Sequence, residues 1–126
     1  MTENEISYLI RGAAFKVFTN LGPGLLESVY TGALAYELRK LGLKVAKEVS
    51  IPIIYEDIRF DFGFRLDLLV EDLVIIEVKS VEGLIPVYFK QILSYLKITE
   101  KKLGIPINFN CEFLNSKSLI RIVNGL

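Results

Sequence analysis

The sequence contains no histidine among its 126 residues. Histidine general-base catalysis, Ser-His-Asp triads and histidine-ligated zinc are therefore excluded. Cys111 is the single cysteine, so no disulfide can form within one chain. No apolar run approaches the ~18 residues of a membrane helix, and the N-terminus lacks the basic-then-apolar order of a signal peptide. These absences favour a cytoplasmic protein without a membrane segment.

An excess of charge of one sign is also missing, because 15 basic residues balance 15 acidic ones. Nucleic-acid-binding proteins usually carry a basic excess or a basic face, so the bulk charge does not support that function. After Ser80 the basic residues outnumber the acidic ones, which is either a local bias or ordinary solvated surface. The mean hydropathy of +0.42 indicates a rich core or a buried oligomer face. The length suits a single domain, residues 1–126.

The spacing of apolar residues changes along the chain and predicts the order ααβββαββ. The expected helices cover residues 6–18, 25–41 and 86–102, and the expected strands cover 43–56, 58–70, 73–80, 104–110 and 118–124. Gly42 is the expected C-terminal cap of the second helix, and Pro86 opens the third. This order predicts an α/β (α+β) domain built around a mixed sheet, and the third strand, apolar on both faces, is expected at its centre.

Three charged side chains interrupt the apolar stretch RLDLLVEDLVIIEVKS, residues 65–80. Glu77 and Lys79 stand two residues apart in a strand and therefore project to the same face. Asp67 lies on the preceding strand of the same hairpin. Whether it shares their face depends on the loop, because a one-residue slip in register turns every side chain to the other face.

A two-residue loop would place Asp67 opposite Ile76, on the wrong face. A three-residue loop, residues 71–73, pairs Val70 with Val74 and brings Asp67 opposite Glu77. A joint site therefore requires an odd-length loop or a β-bulge in this hairpin.

Two facing carboxylates repel each other unless a cation lies between them. Hard oxygen ligands suit Mg²⁺, or Mn²⁺, better than a soft metal. Lys79 beside such a site can orient a water or stabilise charge on a phosphate. The alternative is that Asp67 and Glu77 cap strand ends and that Lys79 neutralises them in a salt bridge.

Taken together, several short motifs resemble one family. Asp67 followed by Glu77-Val78-Lys79 resembles the signature of the PD-(D/E)xK nuclease superfamily. The segment GPGLLESVY, which contains Glu27, matches the motif that names the GxxExxY family of that superfamily. The segment QILSYL looks like a Gln-x-x-x-Tyr element, and INFN also looks like the family. The resemblance runs from Ile6 to Val123.

The resemblance implies a restriction-endonuclease-like core, a mixed sheet flanked by helices, with a Mg²⁺-dependent phosphodiesterase site. By position, Asp67, Glu77 and the Val78 carbonyl would be metal ligands. Lys79 would position or activate the attacking water. The implied catalytic set is completed by Glu27, which would hold the metal or its water, and by Gln91, which would orient Lys79 or a phosphate.

Four assignments keep a second interpretation. Glu27 could instead favour the start of a helix through the helix dipole. Tyr30 and Tyr95 could either contact substrate or pack in the core with a satisfied hydroxyl group. Tyr88 stands where many relatives are expected to have histidine, so substrate handling could differ here.

Two functions remain open from the sequence. The first is a metal-dependent nuclease acting on DNA or RNA. The second is a catalytically silent binding or assembly module on the same fold, which the neutral charge and the high apolar fraction favour. A homodimer would reconcile a small neutral protein with duplex binding, because two protomers could build one groove. An electropositive groove would favour the nuclease, and an apolar sheet edge or face would favour assembly.

Overall fold

The structure, a computed structural model, describes residues 1–126 and has the element order that the sequence predicts. The helices are α1 (Glu3–Leu21), α2 (Glu27–Lys40) and α3 (Pro86–Thr99). The strands are β1 (Val45–Tyr55), β2 (Ile58–Val70), β3 (Val74–Lys79), β4 (Leu103–Asn108) and β5 (Ile122–Val123). No helix combines the length and the apolar character that crossing a bilayer requires.

Local sequence signals explain where the helices begin and end. A capping box formed by Thr2 and Glu5 opens α1. The C-cap of α2 is Leu41 rather than the expected Gly42, which follows it with φ of +85°, in the left-handed region that glycine tolerates. Helix α3 ends at Thr99, three residues before the predicted limit, because Glu100 takes up a left-handed conformation.

The five strands form one mixed sheet in the order β1-β2-β3-β4-β5, so β3 is central as predicted. Strands β3 and β4 run parallel and are joined through α3, whereas the other neighbours are antiparallel. Strand β5 is much shorter than expected. The Pro106 carbonyl accepts from the Ile120 N–H at this edge, so the missing N–H of Pro106 faces β5 and interrupts the ladder.

Helices cover both faces of the sheet. Helices α1 and α2 pack with the inward residues of β3 and β4 into the main core, which includes Ile10, Leu34 and Ile105. Helix α3 covers the opposite face, where Ile92 and Leu96 pack against Leu66 and Ile75. The α+β class and the restriction-endonuclease-like arrangement predicted from the sequence are confirmed.

The hairpin of β1 and β2 extends far beyond the rest of the sheet. The β2–β3 ladder covers only Leu68–Val70, whereas β1 pairs with β2 over nearly its full length. Residues 49–66 therefore form a two-stranded projection, which we call the β1–β2 ribbon.

Gly104 allows α3 to approach β4 closely. A Cβ at this position would lie 2.6 Å from the Ile92 Cγ2. We expect Gly104→Ala to lower the free energy of unfolding by about 1–3 kcal/mol, because both elements are packed tightly here. The measurement is urea denaturation. Gly12→Ala in α1 is the matched control, because its Cβ would meet no atom within 4 Å and should leave stability unchanged or raised.

Candidate active site

The hairpin between β2 and β3 has the three-residue loop that a joint site requires. Val70 pairs with Val74 across residues 71–73. The Asp67 backbone N–H donates to the Glu77 Oε1 at 3.3 Å. The two acidic residues therefore lie against each other on neighbouring strands, as the sequence predicts for an odd-length loop.

At Asp67, the side chains of β2 switch from alternating in one register to the other, so that residues two apart point to opposite faces of the sheet. In β2, Leu66 packs with the α3 cluster, whereas Leu68 packs with the main core. A regular strand would place both residues on one face. On β1 the ladder skips Glu48, opposite Asp67, and Glu48 has φ of +55°. A non-glycine residue in the left-handed region is strained, and such strained residues are often found at functional sites.

The Asp67 side chain bridges the point where β2 and β3 separate. The regular ladder between these strands ends at Leu68 and Ile76. Beyond this point, the Asp67 Oδ2 accepts from the Val78 N–H at 2.8 Å. This side-chain hydrogen bond takes the place of a backbone hydrogen bond between the two strands. This bond fixes one carboxylate oxygen and leaves the other for a further partner.

Glu77 is buried, with 6% of its surface exposed. Burial, and then the neighbouring Asp67, raise the pKa of Glu77 to about 8. Lys79 opposes this shift only weakly. The site therefore holds an acid that keeps its proton at neutral pH unless positive charge is supplied.

Lys79 forms no salt bridge with Asp67 or Glu77. Its ammonium group instead lies 4.7 Å from the centre of the Tyr88 ring. A cation over an aromatic face is held by the ring quadrupole. The strand-end salt bridge considered from the sequence is thus not formed, and Tyr88 supports the lysine.

Glu27 joins the start of α2 to the end of β3. Its Oε2 accepts from the Ser80 N–H at 2.8 Å, and the Ser80 hydroxyl donates to the Leu25 carbonyl at 3.3 Å. Glu27 also occupies the first turn of α2, so the helix-start interpretation holds at the same time. The long-range bond brings this side chain to the same end of the sheet as Lys79.

Asn108, which no sequence pattern marked as a functional residue, anchors the segment after β3. Its side-chain amide donates to the Val81 carbonyl at 2.9 Å, and its Oδ1 accepts from the Val81 N–H at 3.1 Å. Asn108 lies within the INFN segment, which resembled the family but gave no physical reason to expect a function for this residue. The bonds hold the chain directly beyond Lys79.

Helix α3 brings Tyr95 to the acidic pair. The ring stacks on Phe64 with a centroid distance of 4.1 Å. Burial, followed by the charges of Glu77 and Asp67, raises the pKa of Tyr95, and the neighbouring Gln91 opposes this shift. Gln91 lies one helical turn before Tyr95, so the two residues share a face of α3.

Tyr30 is fully buried and does not reach the candidate site. Its hydroxyl donates to the Gly22 carbonyl at 2.6 Å and accepts from the Leu25 N–H at 3.1 Å. The ring stacks on Phe109. Of the two interpretations left open, the structure supports core packing with a satisfied hydroxyl, and the substrate-binding role is corrected.

A polar pocket of about 230 Å³ adjoins Asp67. The side chains around it come from α2, β1 and β2: Glu27, Ser28, Thr31, Lys47, Glu48, Arg65 and Asp67. No sequence pattern marked Lys47 or Arg65 as functional residues. In the sequence, basic residues on strands cannot be told apart from ordinary solvent-exposed residues. Only the folded hairpin places these two beside Asp67.

The structure contains no group of three or more Asp, Glu, His or Cys residues arranged to hold a metal ion. The acidic pair of Asp67 and Glu77 would thus need backbone oxygens or waters to complete a coordination sphere.

A comparison with protein-family models matches residues 4–122 to the PD-(D/E)XK nuclease superfamily. The match covers nearly the whole chain, so the protein belongs to this superfamily. Nucleases of the superfamily generally use divalent metal ions. No curated protein and no solved structure was found to match the chain.

The raised pKa of Glu77 predicts how stability depends on pH in the absence of divalent ions. The folded state binds a proton that the unfolded state releases above its ordinary pKa of 4.5. Stability should therefore fall as the pH rises through the window from 4.5 to about 8. Between about pH 6 and pH 8 the expected loss is on the order of 2 kcal/mol.

Chemical denaturation in EDTA over this range measures the effect. Glu77→Gln should flatten the profile, whereas Glu82→Gln, at an exposed position after β3, should leave it unchanged. An equal slope in wild type and Glu77→Gln would contradict the assignment.

Proposed function

We propose that the chain is a divalent-metal-dependent nuclease of the GxxExxY type that hydrolyses phosphodiester bonds in DNA or RNA. Residues 1–126 act as its single domain. The observation that carries this proposal is the contact of Asp67 with the buried Glu77 where β2 and β3 separate. Membership of the nuclease superfamily supplies the reaction class.

The proposed metal ligands are Asp67, Glu77 and the Val78 carbonyl. Their oxygen chemistry fits Mg²⁺, with Mn²⁺ as an alternative. Two carboxylates are enough for Mg²⁺, because this ion keeps several of its waters. The cost of ionising Glu77 beside Asp67 is the physical reason to expect a cation here. When bound, the ion lowers the pKa of a coordinated water and neutralises charge on the phosphate.

Lys79 is the proposed catalytic cation. Because no carboxylate neutralises it, its ammonium group is free to orient the attacking water and to stabilise negative charge on the phosphate. Glu27 reaches the same end of β3 and is proposed to hold a metal-bound water. Gln91 is proposed to orient Lys79 or a phosphate oxygen from α3.

Tyr88 and Tyr95 are proposed to act on this machinery from α3. Tyr88 holds the Lys79 ammonium group over its ring and so restricts the positions that this ammonium group can occupy. Tyr95 lies close enough to both acids for their charges to raise the pKa of its hydroxyl. A neutral phenol there can donate a hydrogen bond to a carboxylate or to a substrate oxygen.

Asp67→Asn should reduce cleavage at least about 100-fold, because it removes a metal ligand while keeping the shape of the side chain. Supercoiled plasmid DNA and a labelled RNA serve as substrates with Mg²⁺ or Mn²⁺, and EDTA should stop the reaction. Asp72→Asn is the matched control from the same hairpin, because asparagine tolerates the left-handed backbone of Asp72.

Calorimetry with Mn²⁺ separates metal binding from activity. Wild type and Asp72→Asn should bind the ion, and Asp67→Asn should not. Full activity of Asp67→Asn, or cleavage that persists in EDTA, would contradict the proposed mechanism.

One observation favours an assembly function beside catalysis. The far end of the β1–β2 ribbon exposes five large apolar side chains: Ile54, Tyr55, Ile58, Phe60 and Phe62. Phe62 is 88% exposed. Such a concentration of apolar surface on a soluble domain is typical of an interaction site.

A second copy of the chain is the proposed occupant of this surface. Tyr55 pairs with Ile58 and Ile53 pairs with Phe60, so Tyr55, Ile58 and Phe60 share one face of the ribbon, whereas Ile54 pairs with Arg59 on the other face. An interface on the shared face is therefore smaller than the ~800 Å² per partner of a standard interface. Nucleic acid is disfavoured, because Glu56, Asp57 and Asp61 outnumber Arg59 within the same segment. We therefore propose a homodimer formed through the ribbon.

Phe62→Ser should weaken self-association by about 2 kcal/mol, roughly 30-fold, as for a central aromatic contact. Sedimentation velocity over a range of concentrations measures the shift from dimer to monomer. Phe113→Ser is the matched control, because Phe113 is 70% exposed outside the ribbon. A wild type that sediments as a monomer at all concentrations would exclude this dimer.

A further inference from the structure

We infer that Lys47 and Arg65 form a phosphate-binding pair that holds the sugar-phosphate backbone of a nucleic acid on the α2 side of the site. This inference rests on the proposed nuclease function and extends it by assigning two residues to substrate binding. The shared chemistry of the ligand is the phosphodiester group, which DNA and RNA both carry.

The two cations line the polar pocket that adjoins Asp67. Lys47 comes from β1 and Arg65 from β2, and no apolar side chain lines this space. The Lys47 ammonium extends towards α2, where a Cβ added to Gly32 would lie 3.9 Å from it. A glycine at this point of α2 leaves room for the lysine head group beside the pocket.

Neither cation is used by the fold. Lys47 and Arg65 form no salt bridge and donate no side-chain hydrogen bond within the chain. Two of the three nearby acids accept from the backbone: Glu27 from the Ser80 N–H, and Asp67 from the Val78 N–H. The third, Glu48, forms no salt bridge with either cation. Lys47 and Arg65 are thus both unpaired and available to an external anion.

The pair complements Lys79 on the other side of the sheet. Leu66 packs against α3, so the adjacent Arg65 projects towards the α2 side. Lys79 lies beside Tyr88 of α3. A phosphodiester chain passing Asp67 would thus meet Lys79 on one face and the Lys47–Arg65 pair on the other.

The residue types suit this task. Arginine offers a planar fork of donors that matches two phosphate oxygens, and lysine supplies a compact charge. Both side chains are exposed, so binding a phosphate costs little desolvation of the protein cations. Three carboxylates line the pocket against two cations, so a divalent ion at Asp67 should strengthen nucleic-acid binding by reversing the local charge.

The salt dependence of binding tests the inference without relying on activity. Fluorescence anisotropy with a labelled phosphorothioate DNA duplex, and separately with a labelled phosphorothioate RNA strand, is measured in Mg²⁺ over a range of salt concentrations. Lys47→Gln and Arg65→Gln should each reduce the slope of log affinity against log salt by about one, and the double variant by about two. Lys47→Arg should restore the wild-type slope.

Lys44→Gln and Arg59→Gln are matched controls from the same hairpin, outside the pocket, and should leave the slope unchanged. If Asp67→Asn abolishes cleavage but the slopes of wild type and the double variant agree, the phosphate-binding pair is excluded and the nuclease stands. If the slopes differ but wild type cleaves neither polymer, the pair stands and the nuclease fails. If wild type binds neither polymer, both are excluded.

Discussion

The contact between Asp67 and Glu77 is the constraint on which the rest of the structure depends. Two carboxyl groups against each other in a largely buried position can coexist only if one keeps a proton or a cation joins them. The central strand contributes Glu77 from an otherwise apolar run, so the acid cannot move into water. Every neighbouring element either fixes this pair or brings another polar group to it.

The fixing elements come from separate parts of the chain. The three-residue loop sets the register between β2 and β3. The irregular backbone at Glu48 turns β1 and β2, so that Asp67 belongs to neither hydrophobic cluster. Helix α2 is tied to the end of β3 through Glu27, while α3 supplies Tyr88 and Tyr95 from the opposite face. The site therefore exists only when the hairpin and both helix layers are assembled.

Residue patterns were sufficient to predict the element order and the central position of β3. They also gave the condition that only an odd-length loop or a bulge joins Asp67 to Glu77, but they did not choose between the two loop lengths. The first two follow from the spacing of apolar residues along the chain, and the condition follows from the alternation of side chains in a strand. The change of face at Asp67 was not predictable, because Leu66 and Leu68 are equally apolar and only the backbone at Glu48 separates them. The short β5 depends on the direction in which Pro106 faces, and the environment of Tyr30 depends on Phe109, far along the chain.

Catalysis and assembly need not be competing functions of this fold, because β2 carries both features. Phe62 and Asp67 stand five residues apart on one strand, a span of about 17 Å. A two-stranded ribbon gains little stability by itself, so a partner on its apolar end would restrict its motion. The same restriction would hold Lys47, Arg65 and the kink at Glu48 in place beside the acids. In the proposed dimer, self-association would therefore help to order the site rather than replace it.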